Sequence, residues 1–349
     1  MIDYLIVGAG LGGLSFAERA LENSNTIYVL DNNSQNSSRV AGGLYNPVIL
    51  KRFSEVWNAK EQLEEMNLFY SRIERRLNSQ FDFKKPILRK FFSVEEQNNW
   101  FTASDKVNLA PFLSTSLIHD TFTGIDSPFS YGEVLHTGYV DTAELLTEFR
   151  LYLSELGFYQ EQDFDYTLLE LRSDRVLYKG IEARHVIFAE GYGLHANPFF
   201  NSLPLDGTKG ELFIIEAPGL KLDVIVNTSV FILPLGQNRF KVGATYNWKD
   251  KTNDTSVEGK QELIDRIQEI INCDFKIISH FAGIRPTVRD RRPLIGTHQM
   301  HQQLHVLNGL GTRGVMLGPS MAKALYDFIE FKIPLDPSID CWRFEKRKK

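Results

Sequence analysis

The stretch Ile2–Asp3–Tyr4–Leu5–Ile6–Val7–Gly8–Ala9–Gly10–Leu11–Gly12–Gly13 decides the fold of this chain. Its first six residues form a nearly continuous apolar run, as a strand buried on both faces requires. Gly8, Ala9, Gly10, Leu11, Gly12 and Gly13 then fit the spacing G-x-G-x-x-G, and Leu11, Leu14, Ala17 and Leu21 recur at helical intervals. Gly8 allows a tight turn, Gly10 lets a pyrophosphate approach the backbone, and Gly13 lets the helix pack against the strand. The helix N-terminus adds partial positive charge. Residues 26–30 read as a second strand, and Asp31 stands at its end, placed to accept hydrogen bonds from the hydroxyls of an adenosine ribose. Strand, turn, helix and acid together predict a dinucleotide site in a Rossmann-type α/β unit, with NAD and FAD both open.

A second glycine-rich turn near the other end favours FAD. Asn308–Gly309–Leu310–Gly311–Thr312–Arg313–Gly314 again follows a strand (304–308) and precedes a helix (315–331). An extended FAD needs a second contact region for its ring, and a helix N-terminus there favours the negative charge of a reduced flavin. Between the two turns, capping boxes at Ser93–Glu96 and Asp141–Glu144 predict helix starts, the second leading into a helix that ends at Gly157. Residues 211–216, 230–234 and 239–246 read as antiparallel strands, and 257–271 as a helix. Thr102 to Thr137 is rich in Pro, Gly, Ser and Thr and gives no clear periodicity.

Composition narrows the function classes. The chain has 349 residues, 43% hydrophobic and 24% charged, the proportions of an ordinary globular protein. At roughly 100–200 residues per domain, this length predicts two domains or one with an insertion. A net charge of −5 argues against a broadly basic nucleic-acid binder. With only Cys273 and Cys341, no disulfide framework can be built, which fits the cytoplasm. Acidic Asp3 and the interrupting glycines argue against a signal sequence, and no apolar run reaches the roughly 18 residues of a membrane span. The histidines lack paired metal spacing; His298 and His301 lie in a turn, and no metal is expected.

Residues 281–296 read FAGIRPTVRDRRPLIG. Arg289, Arg291 and Arg292 fit a solvated run. Arg285 differs, because it follows Gly283–Ile284 at an expected strand end, where a guanidinium can clamp a carboxylate through two parallel hydrogen bonds.

These segments occur in a telling order: the N-terminal fingerprint, Ser37–Ser38–Arg39–Val40–Ala41–Gly42–Gly43–Leu44, Gly138–Tyr139–Val140–Asp141, Arg285–Pro286 with Asp290, Pro293 and Gly296, and the terminal glycine turn. In that order the chain resembles, over nearly its whole length, the D-amino acid oxidase superfamily of FAD-dependent oxidoreductases, which includes glycine oxidase and sarcosine oxidase. The resemblance implies that Asp31 and Asn32 meet the adenosine end of FAD and that Ser37, Ser38 and Arg39 lie along the pyrophosphate and ribityl chain. Gly42, Gly43 and Leu44 would lie beside the flavin, Leu168 on the adenine side, and Gly191 near the cofactor at the end of the middle strand. Gly309, Leu310, Gly311, Thr312, Arg313, Gly314, Val315 and Met316 would wrap the pyrimidine edge. Arg285 falls where relatives hold the substrate carboxylate, and Lys241 where sarcosine oxidase-like members place a lysine that promotes reaction with oxygen. Tyr45, Arg52, Tyr246, His298 and Thr312 are candidates for the substrate pocket.

The chain also departs from the pattern. Glu190 replaces the usual small apolar residue before Gly191, Thr312 stands where glycine oxidase has a basic residue, and no cysteine is placed for a covalent flavin link, so FAD is expected to bind noncovalently. The implied fold is α/β: a discontinuous Rossmann-type FAD domain from residues 1–45, 136–204 and 283–349, and a mixed or antiparallel-sheet substrate domain from 46–135 and 205–282. The implied reaction oxidises the C–N bond of a small carboxylate-bearing amine by hydride transfer to flavin N5, with oxygen or another acceptor taking the electrons. Three alternatives stay open: a 2-hydroxy acid substrate, the oxidoreductase half of a tRNA-modifying enzyme, and a flavin-binding subunit without turnover.

Overall fold

The chain is described by a computed structural model over residues 1–345. Its first strand, Ile2–Val7, pairs in parallel with Ile27–Asp31 on one side and with Ile181–Phe188 on the other. Tyr159–Glu161 extends this sheet beyond Ile27–Asp31, and Leu304–Asn308 joins Ile181–Phe188, both in parallel register. Leu5, Ile6, Ile187 and Phe188 are fully enclosed, because helices and loops cover both faces of the central strands. An antiparallel flap, Leu169–Leu171 with Val176–Tyr178, hangs from the start of the 181–188 strand.

The helix Leu11–Glu22 packs against the C-terminal helix Gly314–Phe331, and a third helix, Ala59–Leu77, packs on the latter. Small residues let the first two approach. A Cβ on Gly318 would come within 2.7 Å of Ser15 Oγ, and one on Gly314 within 3.0 Å of Leu11 Cδ1. Both helices start directly after a strand of the same parallel sheet, so their N-termini open onto one edge of it, the edge where α/β sheets bind ligands.

The second sheet is mixed and has eight strands, in the order 276–288, 205–216, 239–243, 231–236, 225–227, 87–90, 131–134, 113–118. Its long neighbours Leu205–Glu216 and Lys276–Val288 pair in antiparallel register with Thr208 opposite Arg285. The region 102–137, which lacked periodicity, contributes two of these strands, Leu113–Ile118 and Tyr131–Val134. Their burial comes from partners distant in sequence: Trp100, itself fully enclosed, lies so close over Gly132 that a Cβ there would be 2.5 Å from its ring.

Both expected N-caps form, without the reciprocal bond of a full capping box. Ser93 accepts a hydrogen bond from Glu96 N at 3.2 Å, and Asp141 from Glu144 N at 3.2 Å. One expectation is corrected: Arg285 does not close a strand but sits inside Lys276–Val288, which continues through Pro286. This strand is the edge of its sheet, so the missing N–H of Pro286 removes no ladder bond there. Among the described residues no helix is long and apolar enough to cross a membrane.

Candidate functional site

A cleft of about 1960 Å³ runs between the two sheets and reaches both glycine turns. At its dinucleotide end, Gly8 takes φ +99°, a conformation that side-chain-bearing residues rarely adopt, and a Cβ on Gly13 would lie 1.8 Å from the Gly8 carbonyl oxygen. Ser38 Oγ accepts a hydrogen bond from Leu11 N at 3.1 Å, setting its hydroxyl at the start of the 11–22 helix. Gly8, Gly10, Leu11, Gly12, Asp31, Asn32, Ser37 and Ser38 all line the cleft, whereas Ala9, Gly13 and the exposed Arg39 do not.

Asp31 is not free. Arg150, from the Thr142–Glu155 helix, pairs with Asp31 Oδ2 at 2.7 Å and donates to the Ala9 carbonyl oxygen at 3.0 Å. The arginine thus ties the acid to the turn and leaves Asp31 Oδ1 for a ligand. Arg150 went unnoticed in the sequence; an arginine in a helix that otherwise turns leucines inward was its only signal. Asn32 donates to Asp163 Oδ1 at 2.8 Å. On the adenine side Phe164 and Tyr166 line the cleft, while Leu168 is exposed outside it.

Glu190 lines this end, two residues after the 181–188 strand and beside Gly8. Its carboxylate accepts hydrogen bonds from Asn197 Nδ2 at 2.7 Å and from the Tyr166 hydroxyl. Burial outweighs these two donors and pushes the carboxyl up to about 7. Gly191, next to it, lines the cleft.

At the far end, the second turn is tied to the arginine strand: Gly311 N donates to the Pro286 carbonyl oxygen at 2.9 Å. Gly309, Leu310, Gly311, Thr312, Arg313, Gly314, Val315 and Met316 all line the cleft, as do Gly42, Gly43 and Leu44 opposite them. Met316 N and Leu317 N of helix Gly314–Phe331 donate to the Arg313 carbonyl oxygen, which leaves Gly314 N and Val315 N to offer an anion two donors at this end.

Arg285 projects into the same space. Its guanidinium fits there because residue 210 is glycine; a Cβ on Gly210 would lie 1.9 Å from Arg285 Nη2. Nη1 donates to the Thr245 carbonyl oxygen at 3.2 Å, and the Tyr246 ring covers the group, its centroid 4.6 Å from Cζ. Burial lowers the pKa of Arg285, so its cation is held at a cost. No carboxylate pairs with it among the described residues.

The remaining candidates divide. Tyr246 and Thr312 line the cleft. Tyr45 is buried and donates to Asp82 Oδ1 at 2.7 Å, away from the cleft. Lys241 donates to the Ala41 carbonyl oxygen at 3.2 Å, behind the Gly42–Leu44 segment; burial lowers its pKa. Arg52 is exposed and does not line the cleft, although its neighbours Lys51 and Phe53 do. His298 stacks on His301 and packs against Phe200 and Trp342, outside the cleft. Trp248, half exposed beside Tyr246, lines the cleft and was missed; its position in a polar loop gave no signal.

The donor set fits FAD: a glycine cradle too tight for side chains, a fixed acid at the ribose position, and a second helix N-terminus across the cleft. Comparison with known proteins agrees. Residues 3–328 match the family described as FAD dependent oxidoreductase, DAO. Glycine oxidase of Bacillus licheniformis is 27% identical over 155 residues, spanning 42% of this chain and 42% of that protein. The chain therefore aligns with less than half the length of this relative. Among solved structures, glycine oxidase from Geobacillus kaustophilus is similar with TM-score 0.76 and 18% identity, covering 95% of each chain. Iminodiacetate oxidase from Chelativorans sp. BNC1 is similar with TM-score 0.78 and 17% identity, covering 97% of this chain and 98% of that one. At such identities these likenesses are of fold. The family match, which runs from the first strand almost to the end of the last helix, places this chain in the DAO family of FAD-dependent oxidoreductases.

Proposed function

We propose that the protein oxidises the C–N bond of a small carboxylate-bearing amine, with FAD bound noncovalently between the two glycine turns. The observation that carries this reading is Arg285: a guanidinium facing the cleft, lidded by Tyr246, next to the second turn and without a carboxylate partner among the described residues. A buried cation kept without a counter-ion is built for an anion that arrives. The flavin, when bound, supplies the two-electron acceptor for the hydride leaving the substrate carbon and passes the electrons on to oxygen or another acceptor.

The chain's own residues would do the rest. Arg285 would hold the carboxylate in bidentate fashion and so fix the adjacent carbon and nitrogen in front of the ring. Tyr246 and Trp248 would exclude water from that side. The N-terminus of helix Gly314–Phe331 would stabilise negative charge where it develops. Lys241, with the Ala41 carbonyl as its anchor, would supply positive charge behind the Gly42–Leu44 segment during reoxidation. In this reading residues 1–45, 136–204 and 283–349 form the cofactor domain, 46–135 and 205–282 the substrate domain, and the cytoplasm is the compartment.

Anaerobic mixing of the FAD-loaded protein with a panel of amino acids, N-substituted amino acids and 2-hydroxy acids tests the proposal. Bleaching of the flavin by amines and not by hydroxy acids is expected. Bleaching by hydroxy acids alone would move the assignment to that class, and bleaching only by dithionite would leave a flavin-binding subunit.

A further inference from the structure

The protein carries a net charge of −5, yet the substrate end of its cleft is ringed by arginines that pair with no acid among the described residues. Arg285, Arg289, Arg291 and Arg313 line the cleft itself, and the charges of Arg52, Arg291 and Arg292 act on Arg313. The nearest acid in sequence is turned away: Asp290 is held by Arg343, Nε to Oδ2 at 2.8 Å and Nη2 to Oδ1 at 3.0 Å. Tyr246, whose negative form would favour both Arg285 and Arg313, already lies over Arg285.

One carboxylate accounts for Arg285. It does not account for Arg313, whose cation is also disfavoured by burial and is further disfavoured by three like charges. The phosphates of a dinucleotide are poor candidates for its partner. Their expected cradle is Gly8 to Gly13 with Ser38, whereas the turn that carries Arg313 is tied through Gly311 N to the Pro286 carbonyl oxygen, next to Arg285.

We propose that the substrate carries two anionic groups, one held by Arg285 and the second by Arg313. The inference rests on the proposed amine oxidation and deepens it: the amine would be a dicarboxylate, or a carboxylate with a second acidic group of similar reach. The backbone of the 309–314 turn would still face the flavin, while the Arg313 side chain selects the substrate.

The test is equilibrium binding of unreactive acids to the FAD-loaded protein, read as perturbation of the flavin absorbance. Malonate, succinate and glutarate are titrated beside monocarboxylates of matching length. The best dicarboxylate is expected to bind about tenfold to a hundredfold more tightly than its singly charged analogue, as one added charge-assisted pair provides. In Arg313→Met this ratio should fall to near one, and Arg313→Lys should restore part of it. The ratio cancels any general damage to the site or to cofactor loading. Equal binding of mono- and dicarboxylates by the unchanged protein, or a ratio that survives in Arg313→Met, would overturn the inference while amine-dependent bleaching left the amine-oxidation reading intact. The opposite pattern, a ratio that responds to Arg313 in a protein whose flavin no amine bleaches, would sink the amine reading and keep the dianion site.

Discussion

Glu190 makes the dinucleotide end of the cleft sensitive to pH near neutrality. Its carboxyl rises from an ordinary value of 4.5 to about 7 through burial, opposed by hydrogen bonds from Asn197 and Tyr166. A carboxyl with a raised folded pKa contributes stability that is fully present below its unfolded pKa and lost as pH climbs through the folded one. Across the window from about pH 5.5 to 7 the folded state holds a proton that the unfolded state has released, which changes stability by about 1.4 kcal/mol per pH unit. The contribution lost over that window is therefore about 2 kcal/mol. Glu190→Gln keeps the shape and an oxygen for the Tyr166 hydroxyl but removes the titration. Urea unfolding of both proteins at a series of pH values isolates the effect, because every other titrating group cancels in the difference. Relative to the unchanged protein, the variant should gain about 2 kcal/mol between pH 5.5 and 7 and level off above about pH 8. A difference that stays constant with pH would refute the assignment of the raised pKa to Glu190.

Other perturbations follow from the same geometry. In Gly13→Ala the new methyl would lie 1.8 Å from the Gly8 carbonyl oxygen, where real contacts stay beyond 3.0 Å, so strand and helix must part by 1.2 Å (3.0 − 1.8). Such overpacking costs about 1–3 kcal/mol, and flavin fluorescence should show weaker FAD retention by a protein whose circular dichroism is unchanged. Arg150→Ala leaves Asp31 without its partner at 2.7 Å; breaking a largely enclosed pair costs about 3 kcal/mol, which thermal melting should register, and the double variant with Asp31→Asn should recover part of it. Lys241→Met should slow reoxidation by oxygen on the order of a hundredfold, the size of a lost preorganised electrostatic contact, while flavin reduction, followed separately by stopped flow, changes far less.

Much of this fold could be read locally. The glycine turns, the capping boxes and the apolar first strand are short-range signals, and each constrains backbone geometry by itself. The pairing of Asp31 with Arg150 could not be read that way, since it joins a strand end to a helix more than a hundred residues later and no local period encodes a partner. Arg285 was legible as an unusual arginine, but its place inside an edge strand was not: Pro286 reads as a strand stop unless the neighbour on its N–H side is known to be missing. Tyr45 and His298 mark the opposite limit. Both are polar aromatics near site segments in sequence, yet Tyr45 turns into the core toward Asp82 and His298 joins an aromatic cluster outside the cleft. The strands at 113–118 and 131–134 had no visible period because their burial depends on Trp100 and on the sheet beside them.

Arg285 is the centre of the functional account, and the rate of anaerobic flavin reduction as a function of amine concentration tests it most directly. Replacing Arg285 with Met removes the clamp and leaves an apolar side chain of similar length. Loss of one partner of a buried charge pair costs at least about 2 kcal/mol, so half-saturation should require at least roughly thirtyfold more amine. Half-saturation at the same amine concentration in both proteins would contradict the role given to Arg285 and, with it, the carboxylate-bearing substrate.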